Sequence, residues 1–302
     1  LKTAFGLQNS KFKTEFRYNV NSSELGLTEG IETQNTNKTP LLPFQLINNH
    51  IFSSKSTLFL NNSKLDFNVG YTYNDRKEFE EHHNDDEDET EEEVLEAALH
   101  MKLKTFNYDV KYNLPELGRF QTIVGVQGMN QTNSNYGEEL LIPDATTNDV
   151  GVLATSHIHF EKADIQLGAR FDNRTINLND GFNKSFNSVN GAVGVKTNLY
   201  ESIVTRLNLA TGFRAPNLAE LASDGTHEGT NRYEIGNPDL VSEQNFQSDL
   251  SLEFKNKHIE VFANVFYNQV NDYIFLSPNG DVVNEDPVYV YLQENANLYG
   301  GE

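Results

Sequence analysis

Apolar and polar residues alternate with a period of two along most of the chain. Between positions 65 and 73, a Leu, Phe, Val, Tyr, Tyr series at every second position is separated by small or polar residues. The same alternation returns at 120–126, 165–171 and 259–267. Successive side chains of a β-strand point to opposite faces, so each segment predicts a strand with one apolar and one polar face. Helical periodicity is nearly absent, and only residues 91–99 could form a short helix.

Two kinds of connection alternate between these predicted strands. Short turns are predicted near 9–11, 61–64, 114–118, 161–164, 199–202 and 255–258. Longer polar loops are predicted near 22–48, 75–97, 132–148, 179–187, 215–243 and 277–287. Short turns at one end and long loops at the other are typical of a transmembrane barrel with brief periplasmic turns and extended extracellular loops.

The fold class that this pattern predicts is all-β, an antiparallel up-and-down transmembrane β-barrel. Many segments are longer than the 5 to 6 residues of an ordinary strand and suit the roughly 9–11 residues that cross a bilayer. About thirteen strands result. Bacterial barrels normally have an even number, so we expect a fragment of a larger barrel. The alternative is a large soluble antiparallel sandwich or solenoid with one packed and one wet face.

One predicted strand changes phase along its length. In the segment 99–112, apolar residues occupy one register at Leu99, Met101 and Leu103 and the other register from Phe106 onward. A β-bulge near Thr105, or a strand that leaves the membrane at this point, would produce this change.

Composition excludes several classes of protein. The chain of 302 residues has no apolar run near the roughly 20 residues that a membrane-spanning helix needs, so a membrane protein would have to cross with strands. Twenty-three basic against 44 acidic residues give a net charge of −21, which argues against a nucleic-acid partner. Cysteine is absent, so disulfides, thiolate metal sites and thiol catalysis are excluded.

An acidic run with two histidines is the first candidate site. Residues 78–93 hold eleven acids and no base. Carboxylate oxygens suit hard cations and imidazoles favour zinc, copper or nickel, so His82 and His83 beside Asp85 and Asp86 form a candidate collector of divalent metals. Dense negative charge also raises the local concentration of cations. The alternative is a solvated acidic loop without a specific ligand.

The stretch from Thr211 to Leu252 contains the most specific motif of the chain. Its motif residues are Gly212, Phe213, Arg214, Ala215, Pro216, Glu220, Leu221, His227, Arg232, Tyr233, Glu234, Gly236, Asn237, Pro238, Leu240 and Glu243. They resemble the mid-barrel region of TonB-dependent outer-membrane receptors, especially the branch that takes up zinc and other metals. Ser242 stands where that family often has Pro.

The resemblance implies an outer-membrane receptor of a Gram-negative bacterium. Residues 1–302 would then be a partial β-barrel domain, with the signal peptide, the plug and some strands missing. Transport would draw on the proton-motive force, which the TonB complex delivers to the missing plug. The chain starts at Leu1 without Met or an export signal and ends at Glu302 within a predicted strand, as an excerpt would. Outer-membrane lipid, the TonB complex and the cargo are the partners that we expect.

Within this motif, His227 is the candidate for cargo contact. The resemblance implicates the histidine of this loop in substrate binding, and Glu228 and Asp224 beside it are further possible ligands. The alternative is a surface histidine that packs the loop. Arg214 and Pro216 are expected to be structural, since Pro cannot donate to a sheet and marks where pairing ends. Arg232, Glu234 and Glu243 are expected to form a charge network that braces the loop, and Asn237 and Pro238 to form a turn before Leu240.

A second histidine pair lies on one face of a predicted strand. His157 and His159 alternate with Ile158 and Phe160. If the apolar face meets lipid, the two histidines face the lumen. They would act there either as polar lining or as a relay for a passing cation.

Taken together, the sequence pattern and the resemblance predict a TonB-dependent receptor that imports a scarce nutrient, with a divalent metal such as zinc as the favoured cargo. No cofactor is expected, with zinc or another divalent cation as cargo. A ferric-siderophore or haem receptor of the same superfamily, a surface adhesin and a soluble acidic β domain are the alternatives. No nucleophile elbow, phosphate loop, dinucleotide fingerprint or HExxH motif is present, so we expect no enzyme activity.

Overall fold

The computed structural model describes residues 1–27, 36–80, 96–137, 140–227, 232–284 and 286–302. The strands are β1 (Lys2–Gln8), β2 (Phe12–Gly26), β3 (Phe44–Phe59), β4 (Lys64–Phe79), β5 (Leu99–Asn113), β6 (Phe120–Asn135), β7 (Ala145–His159), β8 (Ala163–Leu178), β9 (Asn183–Tyr200), β10 (Ile203–Arg214), β11 (Asp224–His227), β12 (Arg232–Ile235), β13 (Glu243–Lys255), β14 (Glu260–Val283) and β15 (Asp286–Gly301). One helix, α1 (Leu218–Ala222), lies between β10 and β11.

All fifteen strands belong to one sheet. From β1 to β10 and then through β13, β14 and β15, each long strand pairs antiparallel with the next one along the chain. This confirms the predicted up-and-down order. The predicted longer loop at 179–187 is wrong, because β8 ends at Leu178 and β9 begins at Asn183. The short strand β12 adds parallel to β15, and β11 pairs with β12. In the described part of the chain, β1 forms one edge of the sheet and β11 the other, so the sheet is not closed.

Thirteen of the strands are long, as the sequence predicts, and β11 and β12 are the additional two. They lie within the predicted loop at 215–243, which does connect β10 to β13 but contains a helix and two short strands that were not predicted. Short helices and strands inside a polar segment have too few residues to show a period in the sequence.

Three further local predictions fail or are not tested. The bulge near Thr105 is absent, because β5 keeps an unbroken register with both β4 and β6. The predicted loop at 277–287 is wrong, since β14 runs for 24 residues to Val283 and β15 begins at Asp286. Of the candidate helix at 91–99, residues 91–95 lie outside the described residues, and Leu99 begins β5.

The outward face of the sheet is apolar and exposed. Val69, Phe106, Val124 and Val152 belong to a broad set of large apolar side chains with 39% or more of their surface accessible. An apolar outer wall of this kind is what a barrel presents to lipid. No helix in the described ranges has both the length and the apolar character that a membrane crossing demands.

An aromatic ring covers a glycine on this outward face. Tyr108 lies directly opposite Gly128 on the neighbouring strand, and a Cβ at Gly128 would come within 2.3 Å of the Tyr108 ring and hydroxyl. Aromatic side chains that cover glycines fix the register of neighbouring strands and allow the sheet to curve.

Buried apolar residues gather at the long-loop end of the sheet. The cluster contains Ala145, Ile176, Leu178, Phe186, Ala215, Leu221, Leu240 and Ile274. It joins three residues of the segment 215–243, which we call the cap, to residues of the neighbouring strands. The fold therefore has its buried core at the long-loop end, where the cap is anchored.

Candidate functional site

The cap begins with a well-defined helix start. Pairing of β10 ends at Arg214, two residues before Pro216, as predicted. The Asn217 side chain accepts a hydrogen bond from the Glu220 backbone N–H at 2.9 Å, and the Asn217 N–H donates to Glu220 Oε2 at 2.8 Å. This capping box satisfies two backbone donors and begins α1. It also brings Glu220 toward the end of β10.

An ion network around Arg214 fixes the cap to two strands. The guanidinium donates to both oxygens of Glu220 at 2.7 and 2.8 Å and to both oxygens of Glu243 at 2.9 and 2.6 Å. Each of these carboxylates is only 8% exposed, and Glu243 also accepts the Ile274 N–H at 2.8 Å. Of the expected network of Arg232, Glu234 and Glu243, Glu243 therefore binds Arg214 instead, whereas Arg232 does pair with Glu234. Glu243 lies directly opposite Arg214 on the neighbouring strand, which the sequence alone did not reveal.

A second network holds β12 on the extended hairpin of β14 and β15. Arg232 donates to Glu234 at 2.8 Å, and the Tyr291 hydroxyl donates to the other oxygen of Glu234 at 2.9 Å. Burial of the phenol, together with the hydrogen bond to Glu234, raises the pKa of Tyr291. Asn237 and Pro238 form the predicted turn, in which the Leu240 N–H donates to the Asn237 carbonyl at 3.3 Å.

The hairpin of β11 and β12 carries the candidate histidine. His227 is the last residue of β11 and its backbone is opposite Arg232. At the base of the hairpin the Tyr233 hydroxyl donates to Asp224 at 2.8 Å, and this hydrogen bond raises the pKa of Tyr233. The Asp224 carboxylate, a further possible ligand, is thus already engaged with a phenol.

Close backbone contacts connect the hairpin to the base of the acidic run. A Cβ at Gly225 would lie 2.9 Å from the Leu140 carbonyl, and the Asp224 N–H donates to the Leu141 carbonyl at 3.2 Å. In the same connection between β6 and β7, a Cβ at Gly137 would lie 2.3 Å from the Ala98 carbonyl. Residues 136–137 and 140–141 therefore contact both the cap and the first residues after the acidic run.

Below the cap, charged side chains line the inner wall. Arg170 donates to both oxygens of Asp172 at 2.7 Å and also contacts Gln127, which donates to Asp109 at 2.7 Å. Arg174 donates to Asp149 at 2.6 Å. These residues line a cleft of about 530 Å³ that reaches Arg214. This set was not predicted from the sequence, although Arg and Asp recur at every second position from 170 to 174 on the polar face of β8.

Most of the predicted metal ligands lie outside the residues that the structure describes. His82, His83, Asp85, Asp86 and Glu228 are outside the described residues, as is the side chain of His227. Within the described ranges, no group of three or more His, Cys, Asp or Glu side chains is arranged to hold a metal ion. The predicted ligand set therefore stays a prediction.

The second histidine pair lies at the other end of the barrel. The His157 and His159 rings are 5.9 Å apart between centroids, and His159 Nδ1 is 2.7 Å from Asp164 Oδ1. Both side chains occur on the same sheet face as Arg170, which confirms that they belong to the inner wall.

Comparison with known proteins supports the resemblance over the whole chain. A family model described as TonB dependent receptor-like, beta-barrel matches residues 2–302. The chain belongs to this family. Its members are receptors of the Gram-negative outer membrane that act as transporters rather than enzymes, which confirms the predicted location and the predicted absence of enzyme activity. No curated protein matches the sequence.

Solved structures of TonB-dependent receptors share the fold at low sequence identity. The copper transporter OprC has a TM-score of 0.75 at 14% identity, covering 99% of this chain and 48% of OprC. The FrpB iron transporter from Neisseria meningitidis has a TM-score of 0.67 at 12% identity, covering 99% of this chain and 49% of FrpB. The siderophore receptor PirA from Pseudomonas aeruginosa has a TM-score of 0.60 at 12% identity, covering 100% of this chain and 58% of PirA. The chain thus spans about half the length of these proteins.

Proposed function

We propose that this chain is the barrel part of an outer-membrane receptor that imports a divalent metal cation, with zinc as the first candidate. The proposed ligands are His82, His83, Asp85, Asp86, His227 and Glu228. By analogy with the family, uptake would be driven by the TonB complex through a plug segment that lies outside this chain.

The contact between the cap and the base of the acidic run carries this proposal. The acidic run leaves β4 and returns at Ala98, which Gly137 contacts through its backbone. Leu141 lies four residues after Gly137 in the same connection. Its carbonyl accepts the hydrogen bond from the Asp224 N–H that anchors the hairpin carrying His227. The same connection therefore contacts both Ala98, which follows the acidic run, and the hairpin that carries His227. We infer that the imidazole and carboxylate groups of the two segments converge there, a donor set that suits zinc and related cations.

The electrostatics of the mouth also favour a cation. The run at 78–93 contributes eleven of the chain's 44 acidic residues and no base. Charge of one sign at the entrance of a cleft concentrates counter-ions there and accelerates their capture. A cationic cargo would be concentrated at this rim and an anionic one depleted.

A ferric siderophore is the second candidate, supported by the fold shared with PirA and by the three arginines of the cleft. However, Arg170, Arg174 and Arg214 each already bind one or two carboxylates. An anionic chelate would have to compete with these pairs. The structure of the cleft therefore favours the metal cation over the chelate.

Isothermal titration calorimetry with zinc tests the proposal. A variant with His82, His83 and His227 replaced by alanine is expected to lose at least tenfold in zinc affinity, because imidazole supplies the strongest ligands of the set. The matched control is His258→Ala. His258 lies in a turn at the opposite end of the barrel, so this variant should bind zinc with the affinity of the parent chain. Unchanged affinity in the triple variant would overturn the proposal, and binding of a ferric chelate without zinc binding would favour the second candidate.

A further inference from the structure

A row of charged side chains crosses the inner wall at the short-turn end. His159, Asp164, Lys196 and Arg206 lie directly opposite one another on β7, β8, β9 and β10. The same face carries the acid–base pairs of the cleft, since Asp164 and Arg170 are both even-numbered positions of β8. The row therefore faces the lumen, far from the cap.

Two cations in this row are placed side by side. Lys196 is directly opposite Arg206 in the register of β9 and β10. Like charges at directly opposed positions of a sheet destabilise the pairing. By contrast, Lys111 on the inner wall is matched with Asp109 at 2.8 Å.

The nearest acids form their hydrogen bonds and ion pairs with other residues than Lys196. Asp164 lies opposite Lys196, but its carboxylate is engaged with His159 Nδ1 at 2.7 Å. Glu253 pairs instead with Arg206 at 3.0 Å. Among the described residues, the Lys196 ammonium makes no hydrogen bond and no ion pair.

These groups surround an open space rather than filling it. A cavity of about 320 Å³ is lined by His157, His159, Lys196 and Arg206, with the amides of Gln166 and Asn208 beside them. The set is rich in hydrogen-bond donors, and Asp164 is the single carboxylate among the lining residues. A metal cation would meet an ammonium and a guanidinium here, whereas an oxyanion would meet donors from four strands.

We propose that this cavity is a binding site for a small oxyanion, of the phosphate or carboxylate type, held between Lys196, Arg206 and His157. An oxyanion between Lys196 and Arg206 removes the repulsion that their register creates, which explains why two cations occupy facing positions. The site shares no residue with the proposed metal ligands, and the hairpin that ends at His227 lies at the opposite end of the barrel.

Titration of inorganic phosphate into the purified chain in detergent micelles, followed by 31P NMR line broadening, tests the site. The parent chain is expected to show saturable broadening, and Lys196→Met is expected to weaken phosphate binding at least tenfold. Lys111→Met is the matched control, since it removes an inner-wall lysine that is already paired, and it should bind phosphate as the parent does. Acetate should compete with phosphate if a carboxylate also fits.

Thermal stability separates a ligand site from a structural role of the lysine. Lys196→Met removes a like-charge pair, so its midpoint of thermal unfolding without phosphate should equal or exceed that of the parent chain. Added phosphate should raise the midpoint of the parent and not that of the variant. Absence of saturable binding by the parent chain, or equal binding by Lys196→Met, would overturn the proposal.

Discussion

Replacement of Arg214 by methionine provides the sharpest test of how the cap is held. Methionine keeps an unbranched side chain of similar length and removes the guanidinium that bridges Glu220 and Glu243. Two carboxylates, each 8% exposed, then lose their cation, while Glu220 keeps the Asn217 N–H and Glu243 keeps the Ile274 N–H. The perturbation therefore leaves uncompensated buried charge rather than only a missing contact.

The expected loss is about 3 kcal/mol. Removal of one partner of a buried ion pair costs about 3–5 kcal/mol. The Arg214 side chain is 42% exposed and water partly replaces it, so the lower end of this range applies. A loss of about 3 kcal/mol corresponds to roughly a hundredfold rise in the fraction of molecules in which the cap is open.

Hydrogen–deuterium exchange with mass spectrometry measures this opening directly. Peptides covering 215–227 and 232–243 should exchange roughly a hundredfold faster in Arg214→Met, while peptides of β4 should not change. Arg206→Met is the control, because it breaks one ion pair at 3.0 Å and should cost about 0–1 kcal/mol. Cap exchange in Arg214→Met no faster than in the control would refute the reasoning.

Three other substitutions test separate contacts. Gly128→Ala should destabilise the barrel by about 1–3 kcal/mol, because its Cβ would lie 2.3 Å from the Tyr108 ring and 2.6 Å from the Asp149 carbonyl; a melting temperature equal to that of the parent chain would contradict this overlap. Leu240 is 1% exposed in the buried cluster, so Leu240→Ala should lower the free energy of unfolding by about 2–5 kcal/mol and speed proteolysis of the cap. An unchanged rate of proteolysis would mean that the cluster does not hold the cap. Tyr291→Phe leaves Glu234 without one hydrogen bond and should cost about 1–3 kcal/mol; equal denaturation midpoints for parent and variant would count against this contact.

Most of the long strands could be predicted from the sequence because a strand exposed to two different solvents must alternate. The segment from Leu65 to Tyr73 shows this alternation, and it lies within β4. The apparent phase change near Thr105 was misleading for a physical reason. Leu99 at the start of β5 is buried at the mouth on the inner face, whereas Phe106 faces outward. The apolar Leu99 on the otherwise polar inner face therefore reflects packing against the loops and not a bulge.

Some contacts of the cap could be predicted from the sequence and others could not. Pro216 and the turn at Asn237 could be predicted, since each acts on its own neighbours in the chain. The partner of Glu243 could not, because Arg214 lies 29 residues away and meets it only through the register of β10 and β13. A four-residue strand such as β12 likewise depends on β15, which supplies its hydrogen bonds from a distant part of the chain.

The up-and-down order of the long strands and the family could be predicted from the sequence, because they depend on local periodicity and on a contiguous motif. Which charges meet depends instead on how the strands pair in the folded sheet. Asp164 binds His159 and leaves Lys196 facing Arg206, although the sequence separates these residues widely. Coulomb and hydrogen-bond energies depend on distances in space, and in a sheet those distances are set by register.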